Sequence, residues 1–425
     1  MLSIELFRED PKLIKDNIKK KGYTEQLKWV DEIIKLDSEW RKGKQKADNL
    51  RAKRNNISKE INEAKKAGKD IKKVLADAKK IPAEIEKIEK TQVKAQEKII
   101  SYLLRIPNIM QKDVPKGKDD ADNPEVKKWG KIKNFKFDVK NHVELLEKLD
   151  LVDFDASGRV SGTGFYYLKK ELGLLNQALI RFALDFMGKQ GYDYVEPPLM
   201  LNGSAIYASM DKDAIEQSVY SVKDEDLNLI GTSEQSLLAM HANQLIPEQE
   251  LPKKYYSYSM CFRKEIGSHG INEKGLWRTH QFNKIEQFTF CKPDQSEKIY
   301  DELLKNTEKL MQLLDLPYRV VEMCTGDLAD WKYKSHDIEV YRPTTNAYGE
   351  VASLSNCTSY QARKLNIRFI DKKGCKDILH TLNNTAIATS RILVAIVENY
   401  QNIDGSITVP KVLVQYMNGL KKIQR

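Results

Sequence analysis

Residues 276 to 290 read LWRTHQFNKIEQFTF. In an extended chain, side chains two apart share a face. Arg278, His280, Phe282, Lys284, Glu286 and Phe288 would then line one side, and Thr279, Gln281, Asn283, Ile285, Gln287 and Thr289 the other. A half-buried strand alternates aliphatic with polar residues, whereas this one sets an arginine, a ring, a lysine and a carboxylate in one row. Just upstream, YYSYSMCFRKEIGSHGINEKGLWRTHQF predicts a long antiparallel hairpin. Arg263 and Glu265 would end its first strand, Gly267, Gly270 and Gly275 would lie in its polar loop, and Arg278 would begin its second strand. Two arginines from facing strands can grip a polyphosphate or carboxylate with planar, multidentate hydrogen bonds. Phe282 offers a flat face for a base, and Glu286 can accept hydrogen bonds from a hydroxyl or an amine. A surface hairpin laced by cross-strand ion pairs accounts for the charges, but not for the ring between them. The sequence has no GxxxxGK[ST] loop and no GxGxxG after a strand. A nucleotide here would have to be held by side chains and a metal on an antiparallel sheet.

The elements that must carry this row belong to a chain of 425 residues, 31% charged and 41% hydrophobic, which is long enough for two or three domains. Its start, MLSIELFREDPKLI, lacks the apolar run of a signal peptide, and no stretch approaches a membrane span. A cytoplasmic location is the expectation. The five cysteines (Cys261, Cys291, Cys324, Cys357 and Cys375) are scattered without a CxxC pair, which predicts reduced thiols rather than a structural metal.

The net charge is +10, and residues 41 to 80 alone hold fifteen Lys or Arg against five Asp or Glu. A docked polyanion, which releases counterions as phosphates meet lysine and arginine, and a solvated, lysine-biased face account for that charge equally well. The same region is periodic. Trp29, Ile33, Leu36, Trp40, Gly43, Ala47, Leu50, Arg54, Ile57, Ile61 and Ala64 step alternately by four and three. After Gly68, a second series runs through Ile71, Val74, Ala78, Ile81, Ile85, Ile88, Gln92, Ala95, Ile99, Tyr102 and Ile106. Two heptad runs joined at a glycine predict an antiparallel helical hairpin, each helix roughly 50 Å long at about 1.5 Å per residue. A dimerising coiled coil would use the same heptads, but a turn at Gly68 lets the two halves cover each other and leaves the basic faces outward. Pro82 should kink the second helix or delay its start. Beyond Ile106, PNIMQKDVPKGKDDADNPEV reads as a linker to a domain of mixed strands and helices. There, LGLLNQALIRFALDFMGKQ predicts an apolar helix and YDYVEPPLML a strand ended by two prolines.

Along nearly its whole length the sequence resembles the seryl-tRNA synthetase family of class II aminoacyl-tRNA synthetases. FREDPKLIKDNIKKKG resembles the family's opening, and YDYVEPPLM, with Pro198, its dimer-interface motif 1. FRKEIGSHG…GLWRTHQFNKIEQF resembles motif 2, while GEVASLSNCTSYQARKLNIRF and HTLNNTAIATSRILVAIVENYQNIDGSITVPKVLVQYM resemble the closing strand and motif 3. The resemblance implies an α+β chain: an N-terminal antiparallel coiled-coil hairpin, followed by a mostly antiparallel sheet flanked by helices. Residues 1–108 would form a tRNA-binding domain with its arm at about 28–106, and residues 109–425 the catalytic domain.

It also implies roles. Arg263 and Arg278 would hold the α-phosphate of ATP, and Arg391, at the start of a helix, the γ-phosphate. Phe282 would stack on adenine with Glu265 near its amine, and Lys264, Thr279, Val351 and Ala352 would complete the ATP site. Glu350 and Ser353 would hold Mg2+ between phosphates. Thr232 and Glu234 would bind the amino group of serine and Glu286 and Thr385 its hydroxyl, with Ser233, Arg263 and Asn383 completing the serine site. Thr232 with Gln235 also reads as a capping box for the helix SEQSLLAMHANQ. Thr385 stands where many members have serine, Leu354 where cysteine is frequent, and Ser359-Tyr360 where Asp-Phe is frequent; TAIATSR lacks the usual motif 3 glycines. No zinc is expected, and His280 reads as a structural contact rather than a base. The implied activity is ATP-dependent attachment of L-serine to serine tRNA through seryl-adenylate, in a homodimer, with the tRNA acceptor end in the catalytic domain and its long variable arm on the helical arm. Selenocysteine tRNA, where present, is a further expected substrate. Two other readings compete: a relative that loads an amino acid onto a carrier protein, which would lack the arm, and a non-catalytic RNA-binding relative, which would have lost a phosphate arginine or the metal carboxylate.

Overall fold

The computed structural model describes residues 1–68, 72–266 and 274–425, with backbone alone for 72–77 and 212–213. Ile71, Gly267 and Gly270 lie outside the described residues, as does the side chain of Val74. The chain divides into two compact units, Leu2–Pro107 and Asn108–Arg425 with Met1.

In the first unit, two short helices, Ile4–Glu9 and Pro11–Lys20, precede two long ones, Leu27–Lys66 and Lys72–Leu103. The long pair packs along the heptad seam, burying Ile33, Ala47 and Ile57 against Ile81, Ile85, Ala95 and Ile99. Trp29 stacks on Tyr102 with ring centroids 5.6 Å apart. Next to Gly43, the Gln92 amide reaches across to donate to the Trp40 carbonyl at 3.1 Å. Gly68, at φ +63°, ends the first helix in the left-handed region that costs glycine little. One expectation fails. Arg54 is exposed rather than in the seam, because its long charged chain is better hydrated than buried. Of the two effects expected of Pro82, the delayed start is absent: the second helix starts at Lys72 and runs through the proline. The buried Ile81 and Ile85 beside it offset the lost amide bond.

The second unit is built on an eight-stranded sheet. In chain order its strands are β1 (Glu125–Trp129), β2 (Asp193–Tyr194), β3 (Lys253–Phe262), β4 (Gln281–Cys291), β5 (Tyr318–Glu322), β6 (Lys334–Arg342), β7 (Ala347–Thr358) and β8 (His380–Ala388). They lie in the order β1-β5-β6-β7-β8-β4-β3-β2, and every pair is antiparallel except β2 with β3. The helix Lys170–Met187 carries Leu172, Leu175, Leu179, Phe182 and Met187 at helical spacing into the core. Helices Ser296–Leu313 and Thr389–Asn399 contribute Ile299, Leu303, Leu310, Ile392, Leu393 and Ile396 to the same core.

The odd row of the sequence is only partly strand. β4 begins at Gln281, so Arg278 precedes the ladder instead of belonging to it. From Asn283 onward β4 is buried on both faces, because β8 and β3 flank it and helices cover it. The predicted strand YDYVEPPLML is also broken, into Asp193–Tyr194 and Met200–Leu201, with Pro197 and Pro198, which lack amide donors, between them.

Candidate active site

β3 leaves the sheet at Phe262 and β4 re-enters it opposite, at Gln281. The two ends are tied by the Arg263 amide, which donates to the His280 carbonyl at 2.9 Å, and by His280 Nδ1, 2.8 Å from the Arg263 carbonyl and 3.2 Å from the Tyr220 hydroxyl. This tether aims Arg263 at the open end of the hairpin. Its Nε donates to the Gly231 carbonyl at 3.1 Å, and its guanidinium carbon lies 5.2 Å from the centroid of the Phe282 ring. Glu265 adopts φ +51° and meets Arg278 at 3.4 Å. The ion pair that a plain surface hairpin would show is therefore present, beside the aromatic face that such a hairpin does not require.

Arg391 lies in the first turn of Thr389–Asn399 and is mostly buried. Its Nη1 donates to the carboxylate and to the carbonyl of Glu350, both at 2.9 Å, and its Nε to the Trp277 carbonyl at 3.4 Å. Charge pairing with Glu350 raises the Arg391 pKa despite burial, which opposes it. Ser353, two strand positions beyond Val351 on β7, receives a hydrogen bond from Lys332 Nζ at 3.2 Å.

These groups border one cleft of about 430 Å³. Arg263, Arg278 and Arg391 bring positive charge to it, and Phe282 an aromatic wall. Glu265, Thr279, Glu350, Val351, Ala352 and Ser353 line the same space. At its inner corner are Thr232, Glu234, Asn383 and Thr385. Lys264, Ser233 and Glu286 are not part of its wall. The Lys264 amide goes to the Ser218 carbonyl at 2.9 Å, and Ser233 is fully buried.

Glu286 sits behind that corner, fully buried. Lys284 Nζ is ion-paired to its Oε2 and donates to Thr232 Oγ1 at 3.1 Å. Among the described residues Glu286 Oε1 has no hydrogen-bond partner, nor has Asn383 Nδ2. Burial raises the Glu286 carboxyl pKa, against the pull of the Lys284 ammonium. A buried acceptor and a buried donor without partners next to a cleft suit a small polar ligand that could satisfy both. Thr232 caps the helix Ser233–Ala239 through the Glu234 amide at 3.3 Å. The other half of the expected capping box differs: Gln235 Oε1 accepts from the Gly231 amide at 2.9 Å, one residue further upstream.

Three residues in this arrangement were not singled out from the sequence. Lys284 was visible as a neighbour of Glu286 on the strand, but its partnership with Thr232 required the fold. Trp277 has two guanidiniums near its ring, Arg342 at 4.3 Å and Arg391 at 5.6 Å. Asp337, on β6, faces Ser353 across the ladder and has an unpartnered buried Oδ1. Burial and then the Glu350 charge push its pKa up to about 7.

Comparisons with known proteins agree with this arrangement. A family model described as "Seryl-tRNA synthetase N-terminal domain" matches residues 1–110, and one described as "tRNA synthetase class II core domain (G, H, P, S and T)" matches residues 219–400. The serine–tRNA ligase of Methanoregula boonei is 46% identical over 98% of this chain and 99% of its own. The structure of seryl-tRNA synthetase from Pyrococcus horikoshii complexed with ATP is 43% identical, with a TM-score of 0.95 over 100% of this chain and 99% of that one. The cytoplasmic serine–tRNA ligase of Naegleria fowleri in complex with AMP is 32% identical, with a TM-score of 0.89 over the same shares.

Proposed function

The chain belongs to the seryl-tRNA synthetase family and attaches serine to tRNA using ATP, and from that premise we propose how its residues divide the work. The observation that carries the assignment is the convergence of three arginines, an aromatic face and the Glu350 carboxylate on one cleft. Adenine stacks on Phe282 with Glu265 near its amine, and Lys264 and Thr279 flank it. Arg263 and Arg278 hold the α-phosphate, and Arg391 the γ-phosphate. The ammonium of serine sits among Thr232, Ser233 and Glu234, and its hydroxyl is read by Glu286 and Thr385 with Asn383 alongside.

Mg2+ suits the Glu350–Ser353 edge of the cleft. The donors there are carboxylate and hydroxyl oxygens, and Asp337 Oδ1 is buried beside them without a partner. Glu350 and Ser353 would hold the ion, with Asp337 behind them and the backbone of Val351 and Ala352 against the nucleotide. Bound there, Mg2+ supplies positive charge to the phosphate oxygens. The protein's own part is to align the serine carboxylate with the α-phosphorus and to stabilise the charge that develops. A carboxylate oxygen bonds to phosphorus as the bond to pyrophosphate breaks, giving seryl-adenylate. The terminal ribose hydroxyl of tRNA then attacks the seryl carbonyl carbon, losing its proton as AMP leaves.

Residues 1–108 act as the tRNA-binding domain and 109–425 as the aminoacylation domain. The basic helical pair takes the long variable arm of serine tRNA, by shape and backbone more than by base edges, and selenocysteine tRNA where one exists. A homodimer forms through motif 1, where Tyr194, Leu199 and Met200 are exposed large apolar residues. The enzyme works in the cytoplasm; no described helix is long and apolar enough to cross a membrane.

The test is serine-dependent ATP–pyrophosphate exchange by Arg263→Ala. Loss of one preorganised charge contact should slow exchange about a hundredfold or more while the fold persists. Near-normal exchange would remove Arg263 from the α-phosphate.

A further inference from the structure

Arg391 is held by atoms whose own positions depend on a relay of residues that do not line the cleft. Helix His142–Lys148 brings the His142 ring against Leu276, the residue before Trp277. The Leu276 amide donates to His142 Nε2 at 3.1 Å, so the ring proton is on Nδ1, which donates to Glu398 Oε1 at 3.2 Å. Glu398, on the same helix as Arg391, is fully buried. It also accepts from Arg342 at 2.8 and 3.1 Å and from the Thr344 hydroxyl at 2.8 Å. Arg342 in turn lies over the Trp277 ring at 4.3 Å, and the Arg391 guanidinium lies 5.6 Å from the same ring. Space is kept for both contacts. A Cβ on Gly275, which has φ +154°, would come within 2.7 Å of His142 Nε2, and one on Gly349 would collide with the Trp277 ring.

We propose that His142 and Arg342, both anchored on Glu398, are positioning residues that fix Leu276 and Trp277 and through Trp277 set the Arg391 guanidinium, so that a relay touching no substrate governs the affinity for ATP. The alternative is that His142 and Arg342 only satisfy a buried carboxylate. The two differ in which ring atom matters. The inference rests on Arg391 binding the triphosphate, so Arg391→Ala belongs in the same experiment.

The experiment measures KM for ATP and for serine in pyrophosphate exchange by the full-length protein, with thermal melts as a check on folding. A glutamine amide oxygen reaches the place of Nε2 and can accept from Leu276, whereas an asparagine amide reaches only the place of Nδ1 and serves only Glu398. His142→Asn should therefore raise the ATP KM about tenfold, the scale for supporting-shell partners of a binding group, with the serine KM within about twofold. His142→Gln should restore the ATP KM. Arg342→Lys keeps a charge on Glu398 but loses the planar stack on Trp277, and should likewise raise the ATP KM alone. Equal behaviour of His142→Asn and His142→Gln, or a parallel rise in the serine KM, would overturn the relay. If Arg391→Ala itself leaves the ATP KM unchanged, it is the γ-phosphate assignment that fails. If Arg391→Ala raises it and neither His142→Asn nor Arg342→Lys does, the relay alone is wrong. Should His142→Asn not fold, Arg342→Lys decides.

Discussion

At the scale of single residues, the corner formed by Thr232, Lys284 and Glu286 is the one that, on the proposed assignment, sets amino-acid choice. Burial raises the Glu286 pKa against the pull of the Lys284 ammonium paired with it, and one carboxylate oxygen has no partner among the described residues and is open to a ligand hydroxyl. Alanine would leave that acceptor unpaired, a mismatch that can be worth about ten thousandfold in selectivity. Glu286→Ala should thus lose serine-dependent exchange and narrow the serine-to-alanine ratio. An unchanged ratio would mean that another residue reads the hydroxyl. Glu398 invites a different prediction. Burial alone would raise its pKa, but hydrogen bonds from His142 and Arg342 outweigh that and lower it from 4.5 to about 2. A depressed carboxylate stabilises the fold above its unfolded pKa, and that contribution is lost as pH falls through the folded value. A shift of this size corresponds to about 3 kcal/mol. Urea midpoints should show Glu398→Gln less stable than wild type near neutrality, with the gap closing between pH 4.5 and 2. A constant gap would show that Glu398 does not titrate this way. The sequence made Arg263, Arg278 and Phe282 legible, because their types announce phosphate and base chemistry, whereas Glu350 was pointed to only by the family resemblance. It did not announce Asp337, which meets Ser353 only because β6 and β7 pair in one register, with a bulge between Ile338 and Glu339. Nor did it reveal His142, which is 134 residues from Leu276 in sequence.

At the scale of elements, the two helices Leu27–Lys66 and Lys72–Leu103 behave as their heptads predict. The apolar positions pair with each other, and lysines such as Lys42, Lys44, Lys46 and Lys53 remain exposed. Charge alone left a solvated face and a polyanion site equally open, and the proposed tRNA-binding role takes the second. Replacing residues 30–104 with a short linker should leave serine activation intact and cripple transfer to tRNA. Binding of tRNA by the intact protein should also weaken steeply with salt, as counterion release requires. Undiminished charging by the arm-less protein would contradict the assignment. The strands were harder to read than the helices. β4 carries polar residues on both faces yet is buried on both. Some of its polar groups are taken up by neighbours, as when Gln287 Nε2 donates to Thr307 Oγ1 at 3.1 Å, and Asn306 donates back to Gln287 Oε1 at 2.8 Å. Alternation predicts burial only where one face meets water, so the row that suggested a binding strand had its start misplaced.

At the scale of the whole molecule, the order of the motifs was readable because each one combines chemistry with a fixed place in the sheet. The strand order β1-β5-β6-β7-β8-β4-β3-β2 was not, since it depends on long-range pairing that no local pattern encodes. That order is what brings Arg263 and Arg278 at the end of one hairpin, Glu350 on β7 and Arg391 after β8 to one cleft. The central claim is that this cleft activates serine as an adenylate before tRNA is charged. It is tested most directly by ATP–pyrophosphate exchange measured with each of the twenty amino acids and no tRNA present. Exchange that depends on serine, with alanine far weaker, is the predicted result; a folded protein that exchanges with no amino acid, or with one other than serine, would contradict it.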